Sequence, residues 1–129
     1  MAVSCMNHFT ILTDDLEGTV AFYGELLGLQ PGARPAFGFP GAWLYPPGGQ
    51  HAILHVIADR PRREMVKGVI DHNAFTGQGL GETVGKLQAR GIPYELLRLP
   101  GSGTWQLFFY DPNGAKVEID FDPAEPAPA

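Results

Sequence analysis

The feature that most constrains the fold of this chain is an internal repeat. His8 recurs as His72 and Leu16 recurs as Leu80, each 64 residues later. The turn sequences PPGG and DPNG also fall at matching places in the two copies. Self-similarity at a fixed offset indicates one structural unit that is present twice. We therefore expect two related modules that follow one another along the chain.

Each copy has the order strand, helix and three further strands. The predicted strands are 5–12, one within 30–39, 42–45, 51–57, 69–76, 94–99, 105–110 and 116–121, and the predicted helices are 16–27 and 80–90. Alternating apolar residues indicate the strands, and apolar residues at helical spacing indicate the helices. The fold class predicted is α+β, with two βαβββ modules at about 5–58 and 69–121 in a single domain. The Pro/Ala-rich segment 122–129 is expected to be a disordered tail.

The composition excludes several classes of protein. Of the 129 residues 44% are hydrophobic, which is typical of a globular domain with a substantial core. The formal charge of −5 argues against nucleic acid as a partner. Cys5 is the only cysteine, so no intramolecular disulfide can form. No apolar run reaches the ~20 residues that span a membrane, and no signal peptide is recognisable. We therefore expect a cytoplasmic protein without a membrane partner.

Four ligand-capable side chains interrupt the apolar strands at repeat-related positions. His8 corresponds to His72, and His55 corresponds to Glu118, which lies 63 residues later. Isolated polar groups in strands are more often hydrogen-bonded core residues or solvent-facing ones. Their shared position in both copies favours a functional site instead. Imidazole and carboxylate together suit a divalent metal ion, and two histidines with one carboxylate leave coordination positions open for substrate.

The chain resembles the vicinal oxygen chelate superfamily over residues 6–121. The resemblance is carried by MNHFTILTDDLEGTVAFYGELLGL near the start, VIDHNAFTG in the middle and FFYDPNGAKVEIDF near the end. This superfamily includes glyoxalases, fosfomycin resistance proteins, methylmalonyl-CoA epimerases and extradiol dioxygenases. The resemblance implies that the two modules form a U-shaped mixed sheet around a metal cleft. It also implies a homodimer.

The resemblance further implies the roles of the four residues. His8, His72 and Glu118 match the positions of family metal ligands, and His55 matches a fourth position that is either a ligand or a catalytic residue. The implied cofactor is a divalent metal ion, with Fe²⁺, Mn²⁺, Ni²⁺, Co²⁺ and Zn²⁺ all compatible with these ligands. The implied catalytic residues are His55, as a general base, and Glu118. The implied substrate is a small organic molecule with two adjacent oxygens.

Three functions remain open at this point. The first is a metal-dependent glyoxalase-like enzyme of the lyase or isomerase type. The second is an Fe(II) extradiol-type dioxygenase, although Phe108 occupies the place of a tyrosine in the signature of those enzymes. The third is a non-catalytic protein that binds a small molecule and confers resistance.

Aromatic and polar residues on the strands are candidates for the substrate pocket. Strand alternation places Gln106, Phe108 and Tyr110 on one face. The full candidate set consists of Phe108, Tyr110, Gln106, Trp43, Phe37 and Arg98. Arg98 is the candidate for binding an anionic group of the substrate.

Overall fold

A computed structural model describes residues 1–61 and 68–129 of the chain. The chain divides into two compact units, residues 1–63 and 64–129. The division falls in the connector between the two predicted modules. In the described part of the chain, neither helix is long and apolar enough to cross a membrane.

The first unit is a βαβββ module. Its elements are β1 Phe9–Leu12, α1 Leu16–Leu27, β2 Gln30–Pro31, β3 Gly41–Tyr45 and β4 Leu54–Ile57. The strand order in the sheet is β1-β4-β3-β2, in which β1 runs parallel to β4 and the other neighbours are antiparallel. The helix is therefore the connection between the edge strand β1 and the opposite edge β2.

The second unit repeats this topology. Its elements are β5 Asn73–Thr76, α2 Leu80–Ala89, β6 Tyr94–Arg98, β7 Trp105–Tyr110 and β8 Lys116–Phe121. The strand order is β5-β8-β7-β6, again with one parallel pair, β5 with β8. The predicted α+β class with two βαβββ modules is confirmed.

The helix α1 has the ends that its sequence predicts. The side chain of Asp15 accepts a hydrogen bond from the backbone nitrogen of Gly18 at 2.9 Å, which satisfies one of the free N–H groups of the first turn. Gly28 adopts a left-handed conformation with φ of 71° and ends the helix. Phe22, Tyr23 and Leu26 point from α1 into the core and are almost fully buried.

The helix α2 is capped by a residue from the C-terminal segment. Gly79 has no side chain to cap the helix, and the carboxylate of Glu125 accepts hydrogen bonds from the backbone nitrogens of Gly79 at 3.1 Å and Leu80 at 2.7 Å. The indole of Trp105 donates to the carbonyl of Glu125 at 3.0 Å. The disordered tail at 122–129 stays a prediction, and the hydrogen bonds of Glu125 with a helix end distant in the sequence were not expected.

Three strands begin later than the sequence predicts. The strands predicted at 5–12, 51–57 and 69–76 start at Phe9, Leu54 and Asn73, respectively, in the structure. The parallel pairs define these starts, since Phe9 pairs with Leu54 and Asn73 pairs with Val117. Apolar residues before each start extend the sequence pattern, but the paired registers do not include them, although Ile53 still makes backbone hydrogen bonds with Leu44 and Phe9.

The late strand starts change the setting of two candidate ligands. His8 and His72 each lie one residue before a parallel strand, and neither is in the middle of one as predicted. Both residues are exposed and lie at the same position of the repeat. His55 and Glu118 do lie inside their strands, β4 and β8.

Each module has its own apolar core between helix and sheet. The first core contains Ile11, Phe22, Tyr23, Leu26, Leu29, Leu44, Ala52, Leu54, Val56 and Ala58. The second contains Leu80, Val84, Leu87, Leu107, Phe109, Val117, Ile119 and Phe121. Strand alternation then turns the intervening residues of the central strands to the opposite face, where the candidate site residues are found.

Candidate functional site

In the second module, His72 lies between two carboxylates. Its Nδ1 is 2.8 Å from Oδ2 of Asp71, and its Nε2 is 2.8 Å from Oε2 of Glu118. The ring is one third exposed, whereas the Glu118 side chain is 6% exposed. The hydrogen bond with Asp71 is the main cause that raises the pKa of His72, and Glu118 adds to it. The pair His72 and Glu118, predicted as ligands, is thus in direct contact.

Glu118 is a buried carboxylate with both oxygens engaged. The amide of Gln106, on the neighbouring strand β7, donates to Oε1 at 2.7 Å, and Oε2 faces His72. Burial raises the pKa of Glu118, and the neighbouring carboxyl of Asp120, two residues along β8, raises it further. Within residues 1–61 and 68–129, one oxygen of Asp120 is itself buried without a hydrogen-bond partner. Two carboxyl groups therefore lie close together in this part of the sheet, and a bound cation would stabilise the ionised form of Glu118.

Phe108 and Lys116 flank this cluster. The Phe108 ring meets the His72 ring edge-on, with 5.6 Å between ring centroids. Phe108 pairs with Glu118 across the β7–β8 ladder. The ammonium of Lys116 lies 3.6 Å from Oδ2 of Asp71 and 5.2 Å from the centroid of the Phe108 ring. The carboxylate of Asp71 therefore has two neighbouring groups that interact with it, the imidazole of His72 and the ammonium of Lys116.

In the first module, three rings form a column. The His8 and His55 rings are stacked with 3.7 Å between centroids and 17° between planes. The Trp43 indole covers the other face of His55, at 4.1 Å and 8°. Trp43 and His55 are paired across the β3–β4 ladder, which sets this stack. Burial lowers the pKa of His55, and the positive charge that His8 can carry lowers it further. His55 is therefore favoured as a neutral imidazole.

The aromatic column continues into the segment between β2 and β3. Phe37 lies 6.1 Å from Trp43 and is stacked on Phe39 at 5.3 Å between centroids. The guanidinium of Arg34 lies over both phenyl rings and donates to the carbonyl of Phe39 at 3.0 Å. Phe37 is nevertheless 45% exposed. Phe37 and Trp43, both predicted to line a pocket, thus belong to one surface with His55.

Two other candidates are engaged elsewhere. Arg98 donates to the carbonyl of Pro123 at 2.7 Å and its guanidinium lies 4.1 Å from the centroid of the Trp105 ring. These contacts hold the C-terminal segment against β6 and β7. Tyr110, at the end of β7, is 54% exposed. The assignment of Arg98 and Tyr110 to a substrate pocket stays a prediction.

The sequence reading missed Asn7 and Asp71. The side-chain oxygen of Asn7 lies 2.7 Å from Nδ1 of His8, as that of Asp71 does from Nδ1 of His72. The repeat was the signal that could have found them, since Asn7 and Asp71 are also 64 residues apart.

The donor set fits a divalent ion at His72 and Glu118. Two donors that each lie ~2.1 Å from one ion at a right angle are about 3 Å apart, and Nε2 and Oε2 are separated by 2.8 Å. Histidine ligands commonly bond their second ring nitrogen to a carboxylate, as His72 does with Asp71. In residues 1–61 and 68–129, no group of three or more His, Cys, Asp or Glu side chains is arranged to hold a metal ion. The complete ligand set remains a prediction.

Comparisons with known proteins place the fold. A model of the Glyoxalase/Bleomycin resistance protein/Dioxygenase superfamily matches residues 6–119. Glyoxylase I 4 of Arabidopsis thaliana is 31% identical over 122 residues, which cover 91% of this chain and 70% of that protein. The chain is also similar to solved structures with low sequence identity.

Two of these structures share the fold of this chain but belong to proteins with different names. The fosfomycin resistance protein FosX from Listeria monocytogenes has a TM-score of 0.72 at 17% identity, covering 93% of this chain and 94% of its own. Lactoylglutathione lyase from Agrobacterium tumefaciens has a TM-score of 0.63 at 19% identity, covering 95% and 97%. The repeated βαβββ module defines a vicinal oxygen chelate fold. The chain belongs to the Glyoxalase/Bleomycin resistance protein/Dioxygenase superfamily.

Proposed function

We propose that this protein is a metal-dependent, glyoxalase-like enzyme of the lyase or isomerase type. Its substrate would be a small organic molecule that presents two adjacent oxygens. The observation that carries the proposal is the pair His72 and Glu118, whose Nε2 and Oε2 lie 2.8 Å apart while Asp71 and Gln106 hold their other polar atoms. The relative named Glyoxylase I 4 supports the same type of reaction.

The proposed metal ligands are His8, His72 and Glu118. Burial of a carboxylate is costly unless a cation or hydrogen bonds compensate it, and Glu118 is 5% exposed as a residue. A divalent ion would supply that compensation. Imidazole and carboxylate ligands are compatible with Fe²⁺, Mn²⁺, Ni²⁺, Co²⁺ and Zn²⁺.

The ring stack supports a base role for His55. A metal ion bound to histidine lies in the plane of the ring, ~2.1 Å from the nitrogen. The ring centroids of His8 and His55 are 3.7 Å apart and the ring planes differ by only 17°, so stacked rings of this kind have planes that meet far beyond ~2.1 Å from either nitrogen. One ion could not lie in both planes while the stack persists. We therefore assign His8 as the ligand and His55 as a general base.

The proposed reaction moves a proton at a carbon next to the substrate oxygens. The bound divalent ion would polarise these oxygens and stabilise the negative charge that develops on them. A nitrogen of His55 would accept the proton from carbon and return it to the neighbouring position. The lowered pKa keeps His55 neutral and able to accept a proton at neutral pH. The stacked Trp43 restricts the ring to one orientation.

Metal analysis followed by an activity panel tests the proposal. The purified protein should contain a divalent ion close to one per chain, and His72→Ala should remove it. The activity panel would contain hemithioacetals, 2-oxoaldehydes and epimerisable acyl thioesters, assayed with the metal found. We expect turnover of one of these classes that is lost with the metal.

The other two functions are outcomes of the same experiment. Oxygen uptake with catechols by the Fe(II)-loaded protein would replace the proposal with the dioxygenase. A protein that has no affinity for any of the five metals but binds a small molecule would replace it with the non-catalytic binding function. Size-exclusion chromatography with light scattering tests the homodimer, which we include in the proposal.

A further inference from the structure

Each proposed histidine ligand follows directly after a residue that bonds its Nδ1. The Oδ1 atom of Asn7 is 2.7 Å from Nδ1 of His8, and Oδ2 of Asp71 is 2.8 Å from Nδ1 of His72. Both distances are those of strong hydrogen bonds. The two contacts occur in separate modules, so the agreement between them comes from the repeat itself.

The chemistry of these contacts determines which ring nitrogen carries a proton. An ionised carboxylate can only accept, and the amide oxygen of Asn7 also accepts, so in both cases Nδ1 is the donor. The lone pair available to a ligand is then on Nε2. In the second module this atom is the one that faces Glu118, at 2.8 Å.

The two orienting residues are themselves held in place. His51 Nε2 lies 3.0 Å from the backbone carbonyl oxygen of Asn7, and Lys116 Nζ lies 3.6 Å from Oδ2 of Asp71. Asn7 and Asp71 are both exposed and precede their strands, where backbone pairing does not fix them. Contacts of this kind limit the positions that the two side chains can take.

We propose that Asn7 and Asp71 are a repeat-related pair of positioning residues, which hold His8 and His72 with Nδ1 protonated, so that Nε2 is the nitrogen that a metal ion would bind. This inference rests on the proposed function for its purpose, since it concerns the same metal site. The pair is asymmetric. A hydrogen bond to a carboxylate is roughly twice as strong as one to a neutral amide, so Asp71 should hold its histidine more firmly than Asn7 does.

The first measurement needs no metal. In protein with ¹⁵N-labelled histidine, long-range ¹H–¹⁵N correlation spectra show which ring nitrogen carries the proton. We expect a protected Nδ1 proton on both His8 and His72. Asn7→Leu should remove the signal of His8 alone, and Asp71→Leu should remove that of His72 alone. Asp71→Asn retains an acceptor and should preserve the signal.

The second measurement is the affinity for Zn²⁺ by competition with a chelator. Loss of an outer hydrogen bond to a histidine ligand typically costs about 10- to 100-fold in metal affinity. We expect Asp71→Leu to fall near the upper end of this range and Asn7→Leu near the lower end. Asp14→Leu makes the same chemical change at an exposed position and should leave both the spectra and the affinity unchanged.

The two measurements separate the inference from the function on which it rests. Unchanged Nδ1 proton signals in both leucine variants would overturn the positioning role, whatever the metal affinity. An unchanged Zn²⁺ affinity in variants that have lost those signals would also overturn it. A wild-type protein without Zn²⁺ affinity but with the expected Nδ1 protons would instead overturn the proposed function. Thermal unfolding of each variant verifies that the fold is intact.

Discussion

The amide nitrogen of Gln106 lies 2.7 Å from Oε1 of Glu118, across two adjacent strands of the second sheet. This bond leaves the second oxygen, Oε2, directed at His72. The side chain of Glu118 is 6% exposed, so water cannot readily replace a lost donor. The orientation of the proposed carboxylate ligand therefore depends on Gln106.

Replacing Gln106 by leucine should weaken metal binding and stability together. Glu118 would keep a buried oxygen without a donor, at a cost of about 1–3 kcal/mol in the free energy of unfolding. Metal affinity should fall about 10- to 100-fold, as for other outer contacts to ligands. Gln88→Leu is the matched control, because its amide donates to the hydroxyl of Tyr94 at an exposed position. Chemical denaturation and chelator competition measure the two effects.

The protonation of His72 should oppose metal binding at low pH. The hydrogen bond with Asp71 raises the pKa of His72 above 6.5, so in the metal-free protein its stabilising contribution is present below pH 6.5. That contribution is lost as the pH rises through the raised pKa. A metal ion needs the neutral ring, so its affinity should increase over the same interval. NMR titration and Zn²⁺ affinity against pH should give the same midpoint. A midpoint below 6.5 would contradict this prediction.

His55 should titrate in the opposite direction. Burial lowers its pKa below 6.5, so the stability that its neutral form contributes is present above pH 6.5 and lost as the pH falls through the lowered value. Replacing Trp43 by alanine uncovers one face of the ring and should move the pKa back toward 6.5. Trp43→Phe keeps an aromatic ring there and should move it less. NMR titration of the three proteins measures the order.

Replacement of His55 should reduce the turnover rate without changing the metal content. A general base contributes about 10²- to 10⁴-fold to a rate, so His55→Gln should reduce kcat by a factor in that range. Metal content should stay at the wild-type value, because His55 is not among the proposed ligands. His72→Ala should lose the metal itself. Loss of metal from His55→Gln would make His55 a ligand and contradict the base assignment.

Removing the carboxylate of Glu125 should destabilise the second module. It is the cap of α2, and loss of a cap costs ~0.5–2 kcal/mol in the free energy of unfolding. Glu82→Ala is the control within the same helix, because its exposed ion pair with Lys86 contributes only ~0.3–0.5 kcal/mol. Equal effects of the two alanine variants in thermal unfolding would show that the cap stabilises the module no more than an exposed ion pair does.

Much of the fold was predictable because its determinants are local. The bounds of α1, from Leu16 to Leu27, agree with the prediction, since a capping aspartate and a left-handed glycine mark its ends. The strands β7 and β8 also have their predicted bounds, since turn residues flank the alternating segments. The starts of β1, β4 and β5 were wrong, because a strand begins where a partner is available, and the partner is distant in the sequence.

The sequence by itself determined the repeat, the βαβββ order of both modules and the four residues singled out for chemistry. Only the tertiary structure decided which atoms meet. It brought Glu118 to His72 and Gln106, stacked His55 between His8 and Trp43, and folded Glu125 back onto α2. These contacts depend on strand register and on chain segments far apart in sequence. Local patterns fix which face a side chain takes, whereas pairing between strands fixes its neighbours.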